Sequence, residues 1–479
     1  MIFNSIEFVI FFAIFFILYY FPLKEKTNLQ NIFLLVASYV FYAWASWKIL
    51  PVLVLSTFLF YFVGIAIFKA KTEKKKSLLK TLGIVFGVGM LLYFKYTNFF
   101  ITSFKDLFES IGLQTNLHTF KIIMPLGISF YTFRLLSYII DINRGKYEPT
   151  RNIVTFSTYV AFFPGILSGP IDRPDTFIPQ IQKKRVFNSD LAVEGCRQIL
   201  WGAFKKIVLA DNLATFVNQV HDDFHIQNSS TLILAAILYT FQIYTDFSGY
   251  TDMAIGIGKL LGFKMTKNFN YPLFAQNIAD FWRRWHISLT SWLTDYIFMP
   301  LNIKFRNWGI WGMIGAIIVD FVICGLWHGD NWTFLLWGFY HGLLFIPLIL
   351  SGAMFKKTKM KTNRFGFPKF KNLVNMLFTF FLVTFGLIIF RSETINNSFE
   401  YISCIFTNGL FSSVEMYSVL LLMICVAFLF FEWMFRDDEF PLQKGLFRNP
   451  YLRWSVYLFL VLTISFFGGK PQTFIYFQF

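Results

Sequence analysis

Stretches of close to 20 consecutive, mostly apolar residues recur along the whole chain, and nothing else in the sequence limits the fold as strongly. An α-helix needs about that many residues to cross the ~30 Å hydrocarbon core of a bilayer. Backbone in lipid must satisfy its own hydrogen bonds, which leaves helices and closed β-barrels. Barrel strands alternate apolar and polar residues, and that period is absent. Residue usage agrees: of 479 residues only 15% are charged and 66 are phenylalanine, whereas soluble domains carry roughly a quarter charged residues. The sequence predicts an all-α, polytopic integral membrane protein.

The net charge of +16 would suit a nucleic-acid binder, but its placement does not. Lys69, Lys71, Lys74, Lys75, Lys76 and Lys80 crowd one short loop, and Lys356, Lys357, Lys359, Lys361, Arg364, Lys369 and Lys371 crowd another. Short basic loops beside spans mark the cytoplasmic side and meet anionic lipid headgroups. Membrane lipid, not nucleic acid, is the implied partner. Cys196, Cys324, Cys404 and Cys425 lack metal-ligand spacing and read as buried free thiols. The stretch from Ile2 to Phe21 has no basic leader and no small-residue cleavage site, so it reads as a retained span.

Candidate spans are 2–21, 30–47, 49–68, 81–100, 122–140, 152–170, 196–218, 231–262, 310–327, 331–352, 373–391, 415–435 and 451–468. With both basic loops inside, the N-terminus lies outside, 436–450 inside and the C-terminus outside. Pro125-Leu-Gly127 and Phe163-Pro-Gly165 interrupt two spans, and broken helices are tolerated only where protein or a watery cavity covers them. No solenoid repeat, linker or soluble domain is visible, so residues 1–479 read as one membrane-embedded domain.

Between 280 and 297 the pattern turns amphipathic. Phe281, Trp285, Leu289, Trp292 and Tyr296 share one helical face, and Asp280, Arg284, Ser288, Ser291 and Asp295 line a polar one, with Asp280 and Arg284 in i,i+4 pairing range. The segment is expected to be an interfacial helix, rich in tryptophan. His286 sits at the edge of its apolar side; this segment alone leaves it between a structural and a functional role.

The sharpest local signal is Ile323-Cys-Gly-Leu-Trp-His-Gly-Asp-Asn331. Gly325 and Gly329 form a small-xxx-small pair that lets helices approach closely. Asp330-Asn331 is placed to cap a helix beginning near Trp332. His328 is an ionisable residue inside an apolar bundle, which is a functional hypothesis by default; a histidine hydrogen-bonded to a helix terminus is the plainer alternative. His118, His221 and His225 fall in expected extramembrane loops, and His341 reads as a packing or hydrogen-bonding residue. No HExxH, paired-cysteine or clustered-carboxylate metal motif occurs. Ser129 is not in a G-x-S-x-G elbow, because residue 131 is tyrosine. Asp246 and Asp252 are six apart and so lie on different helix faces; they are expected to hold helices together or line a pathway.

These segments closely resemble the membrane-bound O-acyltransferases, in particular the branch serving alginate O-acetylation. The matching blocks are Pro125-Leu-Gly-Ile-Ser-Phe-Tyr-Thr-Phe133, Leu136-Ser-Tyr138 with Asp141, Phe162-Phe-Pro164 with Ser168-Gly-Pro-Ile171 and Pro179-Gln180, Gln242-Ile-Tyr244 with Asp246-Phe-Ser-Gly-Tyr-Thr-Asp252, Phe281-Trp-Arg-Arg-Trp-His-Ile-Ser-Leu289, and Gly325-Leu-Trp-His-Gly329 with Asn331-Trp-Thr-Phe334. Met1-Ile-Phe-Asn-Ser5 and Phe474-Ile-Tyr-Phe-Gln-Phe479 extend the likeness to both ends. Arg134, where the family usually has glutamine, together with Gly165 and Asp172-Arg173-Pro174, departs from the pattern and leaves the polymer open.

The resemblance implies a ring of about 11–13 transmembrane or re-entrant helices around a central tunnel, and a cell-membrane location. It matches His328 to the invariant family histidine and His286 to the second histidine of the bacterial branch. The implied reaction is acyl transfer from a cytoplasmic thioester, acetyl-CoA, to a hydroxyl presented from outside, with no permanently bound cofactor. A hydroxyl is a poor nucleophile unless a base takes its proton, and a neutral imidazole suits that near neutral pH. His328 is the expected base, with His286 orienting the donor or stabilising the oxyanion. The acceptor is a cell-surface or secreted polysaccharide such as alginate or peptidoglycan; the more distant relatives perform teichoic acid D-alanylation. Because nothing here resembles a soluble polymer-gripping domain, an extracytoplasmic serine-hydrolase-like acetyltransferase is expected as a partner that collects the acyl group. The rival class is an acyl or glycan transporter or flippase, which broken helices and intramembrane acids also fit. One tension remains: a full span over 331–352 would put His328 near the outer face, unless that helix is tilted or of half length.

Overall fold

In a computed structural model, residues 1–358, 360–409, 413–414, 419–443, 449–468 and 472–475 are described. Lys359, residues 415–418, residues 444–448 of the expected loop and residues 476–479 of the terminal block lie outside them. Among the described residues the secondary structure is helical apart from one isolated bridge between Thr362 and Pro368. In chain order the helices are α1 Ile6–Tyr20, α2 Thr27–Ala43, α3 Leu50–Lys69, α4 Glu73–Leu91, α5 Thr97–Ser110, α6 Ile128–Asn143, α7 Ile153–Ala161, α8 Phe163–Ile166, α9 Pro174–Gln182, α10 Ser189–Ala203, α11 Asp211–Asp222 and α12 Ser229–Leu260. They continue as α13 Ile278–Trp282, α14 Ile287–Leu293, α15 Met299–Lys304, α16 Gly309–His328, α17 Trp332–Leu344, α18 Ile346–Leu350, α19 Phe370–Arg391, α20 Ile395–Thr407, α21 Val419–Met434 and α22 Pro450–Phe467. Among the described residues, seven stretches are long and apolar enough to cross a membrane, and α1 and α21 are shorter apolar helices. Side chains such as Ile10, Ile14, Leu458 and Phe466 are exposed, as lipid-facing residues must be. The protein is a polytopic, all-helical membrane protein.

Helix starts follow the sequence. Ser5, Thr72, Asn152, Asn331 and Asn449 each accept a backbone N–H from the first turn they precede, satisfying donors that a helix leaves open. The two Pro-Gly interruptions are breaks. Gly127 starts α6 at φ +69°, where a Cβ would overlap the carbonyl of Ile166, and the expected span 152–170 ends α7 at Ala161 before the short α8.

The chain forms two compact units, one of residues 1–196 and 254–266, the other of 197–253 and 267–479. In the first, Phe163 packs on Phe11, Phe15 and Phe41 at ring-centre distances of 5.5–5.8 Å, which shows where the phenylalanines go. Phe263 meets Phe162 edge-on and stacks on Phe177, and Thr266 donates to Asp172. Arg134 is almost wholly buried (1% exposed) and donates to the carbonyls of Tyr159, Val160, Gly165 and Pro170. A Cβ on residue 165 would overlap the Arg134 guanidinium. Arg134 and Gly165, both singled out above as unusual for the family the sequence resembles, therefore fit each other.

In the second unit, α16 and α17 form a tight hairpin. A Cβ on Gly325 would overlap the Phe334 carbonyl, and one on Gly338 the Phe321 carbonyl; the expected small-residue contact thus has a reciprocal member on α17. Ordered turns with i→i+5 bonding interrupt the helices at 204–210 and 294–298. The first carries two buried lysines that diverge: Lys205 pairs with Asp252 at 2.5 Å, and Lys206 with Asp246 at 2.8 Å and Asp211 at 2.7 Å. The aspartates on different faces of α12 do tie helices together, as the sequence suggested. Tyr244 donates to Glu432, and the backbone N–H of Ile475 donates to Asp246. The thiols differ from expectation: Cys324 and Cys425 are buried, Cys404 is half-buried and Cys196 exposed.

Candidate active site

The segment 280–297 is not one helix. It breaks at 283–286, where His286 adopts a left-handed backbone (φ 44°) between α13 and α14. A β-carbon-bearing residue seldom adopts this conformation, and it persists only where neighbours enforce it. Here Asn268 is the enforcer: its carbonyl accepts from Ile287 N–H, and its side chain accepts from Ser288 N–H and Oγ. Two residues on, Asn270 N–H donates to the Arg284 carbonyl. The face expected at the membrane interface is buried instead, Phe281, Trp285, Leu289 and Trp292 included. The Asp280–Arg284 pair forms as expected, at 3.0 Å.

His286 is fully buried (0% exposed). Its ring lies 4.7 Å from Phe247 and 5.5 Å from Trp327. Burial drives its pKa down to about 3, so it is a neutral imidazole at physiological pH and offers at most one N–H donor, never a cation.

His328 is the last residue of α16 and is also buried (5% exposed). Trp327, Trp337 and Phe390 surround it edge-on at 4.9, 5.1 and 5.2 Å. Trp337 continues to His341 at 4.8 Å, and His341 accepts the Trp282 indole N–H at 3.3 Å. Imidazole and indole rings thus alternate from His286 through Trp327, His328 and Trp337 to His341. The Asn331 side chain caps α17 and also donates to the Glu393 carbonyl at 2.6 Å, which ties the hairpin turn to the end of α19. Helix α17 runs 13 residues and is followed directly by α18, and the stretch Trp332–Leu350 as a whole is long and apolar enough to cross a membrane.

A small cavity of about 20 Å³, room for one water, is lined by His328 and His341 together with Trp282, Trp285, Trp337, Ile243, Leu387 and Phe390. His286 does not line it. It reaches His328 through Trp327. The hydrogen-bonding role expected for His341 is met, but its shared cavity with His328 makes it more than a distant packing residue. Sequence reasoning missed Trp337, Phe390 and the lysines of the 204–210 turn. It also placed His221 in a loop, whereas His221 lies in the last turn of α11 and stacks on Tyr401 at 4.9 Å. Among the described residues no three His, Cys, Asp or Glu gather as a metal site.

Fold and site together define a polytopic membrane protein with a buried, histidine-lined cavity walled by tryptophans. The pattern of the MBOAT, membrane-bound O-acyltransferase family, matches residues 149–390, a stretch that contains both His286 and His328. The chain belongs to the membrane-bound O-acyltransferase family, and it is an O-acyltransferase enzyme. It is 38% identical over 415 residues to "Probable alginate O-acetylase AlgI" of Azotobacter vinelandii, covering 85% of this chain and 79% of that one. It is 32% identical over 408 residues to the peptidoglycan O-acetyltransferase of Helicobacter pylori, covering 77% and 72%. A third relative is the teichoic acid D-alanyltransferase of Bacillus subtilis, 30% identical over 289 residues, covering 57% and 70%.

Proposed function

We propose that this enzyme moves an acetyl group from a cytoplasmic thioester, acetyl-CoA, to a hydroxyl acceptor on the far side of the cytoplasmic membrane, for O-acetylation of a secreted or cell-surface polysaccharide. The observation that carries the reading is His328: an imidazole in an apolar, tryptophan-walled cavity, on the stretch that matches the family. The acceptor oxygen attacks the thioester carbonyl while the His328 imidazole takes its proton. The tetrahedral oxyanion then collapses to the ester, and the departing thiolate recovers that proton from the imidazolium. General-base help of this kind contributes about 10²–10⁴-fold. Indole walls keep bulk water from hydrolysing the thioester. The cavity admits one water, so the acetyl group enters only as side chains shift. His286 acts as a positioning residue by holding Trp327 against His328. The alginate and peptidoglycan acetylases among the relatives support acetyl as the group and a glycan as the final acceptor. Residues 1–479 work as one catalytic body, with the basic loops inside and an extracytoplasmic, serine-hydrolase-like protein as partner on the polymer.

The test is ester content of the polymer and acetyl-CoA consumption with variants at matched membrane levels. His328→Ala and His328→Gln should both fold, insert and make almost no ester. Exposed His118→Ala serves as the control and should behave as wild type. A transporter would tolerate His328→Gln, and near-normal acetylation by stable His328→Ala would overturn the assignment.

A further inference from the structure

His341 shares the small cavity with His328 but has no part in the proton transfer proposed above. It is buried (1% exposed), one turn after Trp337 on α17. Its bond with Trp282 fixes which of its nitrogens carries hydrogen. An indole N–H only donates, so the His341 Nδ1 that accepts it at 3.3 Å is bare. A protonated imidazole has N–H on both nitrogens and could not accept. His341 is therefore a neutral ring whose one N–H is on Nε2.

That Nε2 makes no hydrogen bond among the described residues. It lies 3.1 Å from where a Cβ on Gly386 would stand, so the glycine on α19 keeps it clear. Val383, Leu387 and Phe390, neighbours of Gly386 on the same helix, line the cavity. Trp337 touches both histidine rings, His328 at 5.1 Å and His341 at 4.8 Å. Its buried indole N–H also has no acceptor among the described residues. Buried donors in folded proteins are nearly all satisfied. Two unmet donors, four residues apart on one helix and in the wall of one apolar cavity, call for a ligand with an accepting oxygen.

A thioester carbonyl is such an acceptor, and the reaction makes it a stronger one. Its oxygen becomes an oxyanion as the attacking hydroxyl adds, and indole walls keep water from meeting that charge. His286 does not line the cavity, so it is not placed to donate there. We propose that α17 supplies the oxyanion site: His341 Nε2–H donates to the carbonyl oxygen of the acyl donor, with Trp337 Nε1–H as a second donor. The proposal rests on the acyl-transfer reading above and adds a catalytic residue to it. As the new C–O bond forms, the hydroxyl proton passes to His328 and the carbonyl π pair moves onto the oxygen that His341 holds. His341 keeps its own proton throughout. The pair then returns, the C–S bond breaks, and the thiolate takes the proton from His328. Trp282 is a positioning residue, because it holds His341 in the tautomer that donates.

The test measures acetyl transfer from acetyl-CoA in membranes of the producing cell, with variants at matched levels. His341→Phe keeps a ring and its packing but has no donor; His341→Gln gives up the ring but keeps an N–H of similar reach. Donation predicts that phenylalanine lowers kcat about 10²–10³-fold with the acetyl-CoA KM little changed, and that glutamine restores part of the loss. A packing role predicts the opposite order. The pH–rate limb set by His328 should keep its position in His341→Gln, since His341 exchanges no proton. Trp282→Phe, which removes the indole N–H, should also lower kcat with the KM held. Activity of His341→Phe at or above that of His341→Gln, or loss of the pH limb in His341→Gln, overturns the proposal. Should His341→Phe fail to insert, His341→Ala takes its place, and glutamine must still exceed it. His328→Ala tests the base separately. If it transfers acetyl while glutamine still exceeds phenylalanine at 341, the base reading falls and the oxyanion site stands; if it is inactive and phenylalanine matches glutamine, the reverse holds.

Discussion

His286 and Trp327 meet with ring centres 5.5 Å apart, and the same indole lies 4.9 Å from His328. One tryptophan thus stands between the two histidines, and on the roles proposed for them their variants should behave differently. His286→Asn preserves the left-handed backbone, because asparagine tolerates it, but loses the ring against Trp327. We expect a folded enzyme with kcat lowered by up to about 10²-fold through misplacement of His328. Donor KM should hold, and the pH–rate limb set by His328 should keep its position. Trp327→Phe, which keeps a ring between the histidines, should be milder than Trp327→Ala. Loss of the pH limb in His286→Asn would make His286 the base and overturn this division.

Neutral burial of His286 also sets an acid limit on stability. Its pKa in the folded protein is about 3, against roughly 6.5 when unfolded. Between these values the unfolded chain binds the extra proton, so the stabilisation is complete above about pH 6.5 and is lost as pH falls toward 3, by roughly 1.4 kcal/mol per pH unit. Asparagine does not titrate. The drop in melting temperature from pH 7.5 to pH 5, measured in detergent, should be smaller in His286→Asn than in wild type; an equal drop would show that other groups set the acid sensitivity.

Arg134 and Gly165 should be energetically coupled. Gly165→Ala overpacks the guanidinium and should cost about 1–3 kcal/mol. Arg134→Gln leaves carbonyls of Tyr159, Val160 and Pro170 short of donors, at a cost of about 1–3 kcal/mol. The double variant removes the overlap, so its cost should fall below the sum by about 0.5–3 kcal/mol. Strict additivity in denaturation midpoints would contradict the packing relationship.

Orientation follows from the basic loops. In a cysteine-free background, cysteines at Ser77 and Lys361, both exposed, should escape an impermeant thiol reagent in intact cells and react after permeabilisation. A cysteine at exposed Glu393, just past the far end of α19, should react from outside. Labelling of Ser77→Cys or Lys361→Cys in intact cells would invert the topology and with it the side on which the acceptor enters.

Most spans were readable because lipid enforces an apolar run whatever the neighbours are, and the glycines around His328 were readable because close helix contact demands small residues. His286 was read onto a continuous wheel. Its break is imposed by Asn268 and Asn270, residues that reach it only after the chain has folded back, and nothing within 280–297 encodes them. The bond between Trp282 and His341 was illegible for the same reason at larger scale. The two lie 59 residues apart and meet only when α13 and α17 pack. Lys205 and Lys206 are adjacent in sequence, and the i→i+5 turn sends them to different aspartates.

The first unit is completed by residues 254–266, and this bears on how the protein is made. When a ribosome has delivered the first 196 residues, Phe162 and Phe177 still lack Phe263, and Asp172 still lacks Thr266. The amino-terminal helices can enter the membrane in order of synthesis, but their packing stays open until more than half of the chain has emerged. Domains usually finish one after another during translation; here the first unit waits for residues 254–266, and a fragment ending at residue 196 would lack the contacts that Phe263 and Thr266 bring to it.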